Sequence, residues 1–440
     1  MDYLQTIDYL YSRTPQFQRI GAAAYKPGLD TVRCLSEAFG NPHRKYKVLH
    51  VAGTNGKGST SHTLAAILQA AGYRVGLYTS PHLIDFRERI RCNGSMIPEN
   101  DVVDFVNRYS SMQESRELEP SFFELTTVMA FDWFARENVD VAVVEVGLGG
   151  RLDSTNIIDP ELSVITNISF DHMAQLGDTL EAIAHEKAGI MREGVPVVCG
   201  EPKGDIKMLF KAEAEQHGTT VRFAMDEPIC GCMEVRDGML HVAGTGFGEL
   251  MYQLTGDCQR QNARTVLVAI DELLRRGWKI DSAAVKAGFA NVCSMTGLMG
   301  RWMKLSDNPL VICDTGHNIG GWEMLSMQLR ELPRPLVVVL GFVNDKDIAP
   351  ILPLLPKDAE YVFTNASIPR ALPAAELADN GFAYGLKGKV VCGVGDAYGY
   401  GLELLRAGSG QGAMFVGGST FVVADLLKHL QAKGNVENFS

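Results

Sequence analysis

The sequence predicts an α/β protein in two parts: a mostly parallel sheet domain over residues 1–296 and a smaller α/β domain over 297–440. Three observations predict this. Short apolar runs alternate with amphipathic stretches, the order expected of a parallel sheet covered by helices on both faces. A glycine-rich turn joins the first such run to a helix, which makes the first domain P-loop NTPase-like. After Ser294–Arg301 (SMTGLMGR), a glycine-bearing stretch without strong periodicity and a candidate hinge, the alternation restarts as a Rossmann-like domain.

Each element follows from its pattern. Tyr46–Ala52 (YKVLHVA) reads as a strand running into glycine, with a helix over His62–Ala71 and the next strand at Arg74–Thr79. Phe122–Arg136 has helical spacing. Asp140–Val146, Leu162–Asn167 and Val195–Cys199 are continuous apolar runs, the signature of strands buried on both faces. A helix over Thr179–Met191 lies between the last two, its start marked by the capping-box-like Asp178-Thr-Leu-Glu181. Thr220–Thr255 is glycine-punctuated and of shorter period, which predicts an antiparallel edge; helices follow at Gln259–Arg276 and Ser282–Val292. Beyond residue 301, strands are expected at Leu310–Asp314, Leu336–Gly341, Tyr361–Thr364, Val390–Gly393 and Met414–Gly417, each followed by a helix-like stretch.

Composition narrows the function. With 41 basic and 52 acidic residues the net charge is −11, which argues against nucleic acid or an anionic membrane as partner. Nine scattered cysteines without a CxxC read as reduced thiols, and no second ligand pair accompanies Cys230 and Cys232 to make a zinc site. No stretch reaches the ~18 apolar residues of a membrane span. Residues 1–5 lack the basic-then-apolar start of a signal peptide, so a cytoplasmic monomer is the expectation.

The strongest motif is Val51-Ala-Gly53-Thr54-Asn55-Gly56-Lys57-Gly58-Ser59, set between a buried strand and a helix. Glycines let backbone amides converge on phosphate oxygens, the helix N-terminus adds partial positive charge, Lys57 reaches the phosphates and the Ser59 hydroxyl suits magnesium. The spacing departs from GxxxxGK[ST] because Gly58 separates the lysine from the hydroxyl. Glu145, at the carboxyl end of a strand and before Gly147-Leu-Gly-Gly150, is placed to hold Mg²⁺. On residue grounds alone, His172 reads more as a structural or hydrogen-bonding histidine than as a metal ligand, and Lys187 as a lysine on a solvated helical face, paired with an acid.

GTNGKGS is followed by Thr79-Ser-Pro-His-Leu83, Phe86-Arg-Glu-Arg-Ile90, Glu145 through Asn156, Asp171-His172, Glu186-Lys-Ala-Gly-Ile190, Arg301 and Asp314-Thr-Gly-His-Asn318. That ordered set, from about residue 46 to 425, resembles the folylpolyglutamate synthase/dihydrofolate synthase branch of the Mur-ligase superfamily. The resemblance implies an ATP-dependent carboxylate–amine ligase that adds L-glutamate to a reduced folate or to dihydropteroate by way of an acyl phosphate. It implies that Thr54, Asn55, Gly56, Lys57, Gly58 and Ser59 bind ATP with Asn262 on the adenine, Asp314 on the ribose or a phosphate, and Arg301 and His317 on the phosphates. It implies two magnesium ions, one on Ser59 and Glu145 and one on Ser80, Glu145 and His172. Lys187 would serve the second ion as a carbamate, the product of its amine and CO₂. Ser80, Pro81, His82 and Phe123 lie where such enzymes hold the pterin. A monovalent cation is compatible with the family, although no residue here signals one. In Gly418-Ser419-Thr420-Phe421 a phenylalanine stands where the family pattern has histidine, so only Ser419 carries over as a substrate residue.

Two other readings compete. A Mur ligase acting on a UDP-sugar peptide usually carries a nucleotide-sugar domain before the phosphate loop, and only 52 residues precede Gly53. A P-loop ATPase switch has no need of Asp314, His317 and Arg301. A GTPase would carry NKxD, and Asn344-Asp-Lys-Asp347 has the wrong order.

Overall fold

The computed structural model describes residues 1–14, 28–112, 118–202, 204–407 and 412–434. The chain forms two compact units, one of residues 1–255 with 259–298 and one of 256–258 with 299–440.

Among the described residues the main sheet of the first unit holds eight strands: β1 Lys47–Ala52, β2 Val75–Tyr78, β3 Ile90–Cys92, β4 Ser95–Met96, β5 Val141–Glu145, β6 Leu162–Asn167, β7 Val197–Glu201 and β8 Val221–Phe223. Their order is β4-β3-β2-β5-β1-β6-β7-β8, parallel from β2 to β8, with β3 and β4 antiparallel at one edge. Side chains alternate across β1. Leu49 and Val51 join the core with helices Lys57–Ala70 and Cys258–Arg275, while Val48 joins the core of the opposite face with Phe122–Arg136. The register pairs Val51 with Glu145, so the phosphate loop and Glu145 leave adjacent strands at the same end.

Several expectations shift. Helices Tyr3–Arg13 and Asp30–Ala38, which the sequence reading did not place, precede β1, and the helix after β1 begins at Lys57 rather than His62, the run Gly58–Thr63 being buried in it although its residues have low helix propensity. The helix expected over Thr179–Met191 is Leu180–Ala188, and Thr179 caps it, accepting from Ala182 N–H at 3.1 Å. Thr220–Thr255 is not one antiparallel edge. Val221–Phe223 extends the main sheet in parallel, and a separate antiparallel sheet holds β9 Met233–Arg236, β10 Met239–Thr245 and β11 Gly248–Tyr252.

Among the described residues the second unit has six strands: β12 Met303–Asp307, β13 Leu310–Asp314, β14 Leu336–Leu340, β15 Glu360–Phe363, β16 Lys387–Val390 and β17 Ala413–Gly417, in the order β12-β13-β17-β14-β15-β16. All pair in parallel except β12, an edge strand missed by the sequence reading. The strand expected at Val390–Gly393 ends at Val390, and Val394 opens a helix to Ala407. Trp322, Tyr361, Phe363 and Phe415 fill this unit's own core.

Candidate active site

The phosphate loop is held by the end of β6. Thr54 N–H donates to the Asn167 carbonyl (3.0 Å), Asn55 N–H to Asn167 Oδ1 (2.8 Å), and Thr166 Oγ1 to the Asn55 carbonyl (2.5 Å). Thr54 Oγ1 donates to the Ser169 carbonyl at 3.1 Å. Gly53 and Gly56 have φ of +146° and +86°, and a Cβ on either would overlap Thr166 or Asn262 respectively, so only glycine permits this turn. Asn262 therefore lies directly on the loop. It donates to Gln259 Oε1 (2.8 Å), and Gln259 Nε2 donates to Ser59 Oγ (3.3 Å). Gly58 and Ser59 lie buried in the first turn of the helix.

Two lysines converge on one oxygen. Lys57 Nζ donates to the carbonyls of Gly53 (2.9 Å) and Thr54 (3.1 Å), and Lys187 Nζ donates to the same Gly53 carbonyl at 2.9 Å. Lys187 is 3% exposed. Burial, with the Lys57 charge added to it, brings its pKa down to about 7. Its helix is set by the loop after β5: Arg151 N–H donates to the Glu186 carbonyl (2.7 Å) and Asn156 Nδ2 to the Gly189 carbonyl (2.9 Å).

Sequence reasoning missed the residue that shapes that loop. Buried Asp153 accepts from Leu148 N–H (2.8 Å), Thr155 N–H (2.9 Å) and Thr155 Oγ1 (2.5 Å), and Thr155 Oγ1 also meets His50 Nε2 at 2.9 Å. Burial pushes the Asp153 carboxyl up and holds His50 neutral, at about 3. A signal was available, since an Asp in a tight Asp-Ser-Thr-Asn run commonly binds its own backbone two residues on.

Glu145 is buried, and its Oε2 accepts from Ser80 N–H at 3.2 Å. The Ser80–Pro81 bond is cis. His82 Nδ1 accepts from Arg89 Nε (2.8 Å), which puts its proton on Nε2, facing the Tyr11 hydroxyl at 3.4 Å. Arg89 rests over the Phe122 ring at 5.2 Å; Phe123 lies 5.8 Å from the Tyr78 ring and against Gly147. His172, at φ +50°, caps the short helix Met173–Leu176, with Nε2 3.8 Å from Asp171 Oδ1. Among the described residues no three His, Cys, Asp or Glu side chains cluster as a ready-made metal cage.

The second unit gathers its own group. Arg301 Nη1 donates to the Gly300 carbonyl (3.2 Å) and to Thr315 Oγ1. Asp314 accepts from Trp302 N–H (2.6 Å) and Gly316 N–H (2.7 Å). Burial raises its pKa, against the lowering effect of Arg301. His317 Nδ1 donates to the Thr315 carbonyl at 3.0 Å. Buried Ser419 follows β17, the strand beside Asp314, and caps Thr420–Ala432 by accepting from Val422 N–H at 3.2 Å.

A parallel sheet with a phosphate loop, an acid at the adjacent strand end and a second α/β unit define a nucleotide-binding α/β enzyme of the P-loop class. Residues 51–269 match the Mur ligase middle domain. Folylpolyglutamate synthase of Lacticaseibacillus casei is 34% identical over 394 residues, covering 85% of this chain and 88% of that protein. FolC of E. coli in complex with DHPP and ADP superposes with a TM-score of 0.83 at 30% identity, covering 99% of both chains. The bifunctional folylpolyglutamate synthase/dihydrofolate synthase of Yersinia pestis, complexed with AMPPNP and Mn ion, gives 0.81 at 29% identity over 98% of both. The chain belongs to the folylpolyglutamate/dihydrofolate synthase family and is an ATP-dependent carboxylate–amine ligase.

Proposed function

We propose that this enzyme joins L-glutamate to a reduced folate and, in the same site, to dihydropteroate, through an acyl phosphate. The observation that carries the reading is the phosphate loop, with left-handed Gly56 opening a helix at Lys57 and a second, buried lysine on the same Gly53 carbonyl. A bare carboxylate is a poor acylating agent, and ATP supplies the leaving group it lacks. A carboxylate oxygen of the acceptor attacks the γ-phosphorus and ADP departs. The α-amine of L-glutamate then attacks the acyl carbon, phosphate leaves, and the amine gives up a proton as the amide forms.

Residues 1–296 act as the ATP-binding domain and 297–440 as the glutamate-ligase domain. Thr54, Asn55, Gly56, Lys57, Gly58 and Ser59 take the phosphates, Asn262 the adenine, and Asp314 the ribose or a phosphate. Arg301 and His317 stabilise charge on the transferred phosphoryl group. Ser80, Pro81, His82 and Phe123 receive the pterin, and Ser419 belongs to the glutamate side. Most of the donors suit magnesium, which prefers oxygen: a buried carboxylate at Glu145, the hydroxyls of Ser59 and Ser80, and a buried lysine whose depressed pKa leaves amine to react with CO₂; the His172 imidazole is the exception. Ser59 and Glu145 would hold one ion, and Ser80, Glu145, His172 and a Lys187 carbamate a second. Bound there, magnesium neutralises phosphate charge. Nine scattered cysteines without a CxxC support a reduced, cytoplasmic setting, and a monomer is proposed.

The test is ADP release with ATP, Mg²⁺ and L-glutamate, adding dihydropteroate or a reduced folate monoglutamate. Turnover with both acceptors is expected. Turnover with one alone restricts the enzyme to that reaction, and glutamate-independent hydrolysis without an amide product overturns the proposal.

A further inference from the structure

We propose that Arg370 is the cation that receives a carboxylate of L-glutamate, presented on the ring of Phe421 and held by Asp345; this rests on the ligase reading above. In the second unit, β13, β17, β14 and β15 run parallel, so their carboxyl ends share one edge, where open α/β sheets bind ligands. Three loops leaving that edge meet. Val343 bridges Ala371, Asn344 N–H donates to the Arg370 carbonyl, and Leu372 N–H donates to the Phe342 carbonyl, each bond 2.9 Å. The chain after β17 joins them at Phe421, in the first turn of the helix Thr420–Ala432; the Phe421 ring centroid lies 5.2 Å from the Arg370 guanidinium. Asp345 Oδ2 accepts from Arg370 Nη1 at 2.7 Å. Ser367, on the same loop as Arg370, bonds through N–H (2.7 Å) and Oγ (2.9 Å) to Asp425 of the helix that carries Phe421.

A guanidinium stacked on an aromatic face and pinned at one edge by a carboxylate has little rotamer freedom left to lose on binding. The Arg370 side chain is 15% exposed and that of Asp345 39%, so the pair stands at the surface end of the loops. Phe421 also occupies the position where the family pattern has histidine. A flat apolar ring there cannot donate to a carboxylate, but it can shelve a cation that does, and glutamate brings two carboxylates.

The experiment is steady-state kinetics on the whole enzyme, varying L-glutamate, ATP and acceptor in turn. Arg370→Gln is expected to raise the KM for L-glutamate about 10- to 100-fold, the loss of a charge-assisted bond. The KM values for ATP and acceptor should stay within about twofold, and Arg370→Lys should fall between. Phe421→Leu, which removes the shelf, should raise the glutamate KM by a smaller factor, about 2- to 10-fold. Wild type should prefer L-glutamate to its α-amide and γ-amide, and Arg370→Gln should lose one of those preferences, which names the carboxylate read. An unchanged glutamate KM in Arg370→Gln overturns the inference, as does an equal rise in all three KM values with a lowered Tm. Should Arg370→Gln fail to fold, Phe421→Leu decides, and an unchanged glutamate KM there overturns it. A wild type without glutamate-dependent ADP release would instead remove the ligase reading itself.

Discussion

Lys187 shows most directly what one residue costs and supplies. Its ammonium is buried against the Gly53 carbonyl, and its pKa falls from 10.5 to about 7. Between those values the unfolded chain binds a proton that the folded chain does not, so stability rises with pH across this window. The slope is at most about 1.4 kcal/mol per pH unit, and the penalty is fully present below pH 7. In CO₂-free buffer, Lys187→Met should abolish that slope in denaturant titrations while cutting turnover at least about 100-fold; a slope that persists would put the titration on another group. The loop around this lysine was legible because Gly53, Gly56 and Lys57 form a local pattern. Its partners Thr166, Asn167 and Ser169 were not legible as partners, since they lie more than 100 residues away and meet the loop only because β6 pairs with β1. Lys187 was ambiguous for a different reason: Glu186-Lys187-Ala188 puts polar and apolar residues side by side on a short helix, and burial is decided by what packs there.

At the scale of elements, the long apolar strands and Phe122–Arg136 were readable because pattern and burial agree. The three-residue β8 and the edge strand β12 are too short or too exposed to carry a period. The contact between Ser282–Ala290 and the phosphate-loop helix is also invisible in sequence. Gly288 sits where a Cβ would lie 2.6 Å from the Ile67 backbone, so this glycine sets how closely the two helices approach. Gly288→Ala should push them apart and cost about 1–3 kcal/mol in urea unfolding, with weaker nucleotide binding because Lys57 and Ser59 ride on the displaced helix. An unchanged midpoint would mean that the helices adjust without strain.

For the whole molecule, the restart of strand–helix alternation after residue 301 implied a second core, while the glycine-punctuated stretch Thr220–Thr255 marked antiparallel pairing without showing that β9–β11 form a sheet of their own. No helix of the described residues is long and apolar enough to cross a membrane. A chain that binds a nucleotide only when folded must gain stability from it. Mg²⁺–ATP at about 100 times its Kd should add about 2.7 kcal/mol, read as a raised Tm, and EDTA should reverse most of that gain along with turnover. A melting point indifferent to both would contradict nucleotide binding by the folded state.

The Gly53 carbonyl, where Lys57 and Lys187 meet, is main chain and not side chain. No point substitution can delete that oxygen, and residue 53 itself tolerates no side chain because Thr166 fills the space. The balance of charge at the heart of the site is thus written into the peptide backbone, beyond the reach of ordinary mutation. Variation in this lineage can retune everything around the two lysines, but the atom that seats them is inherited with the fold.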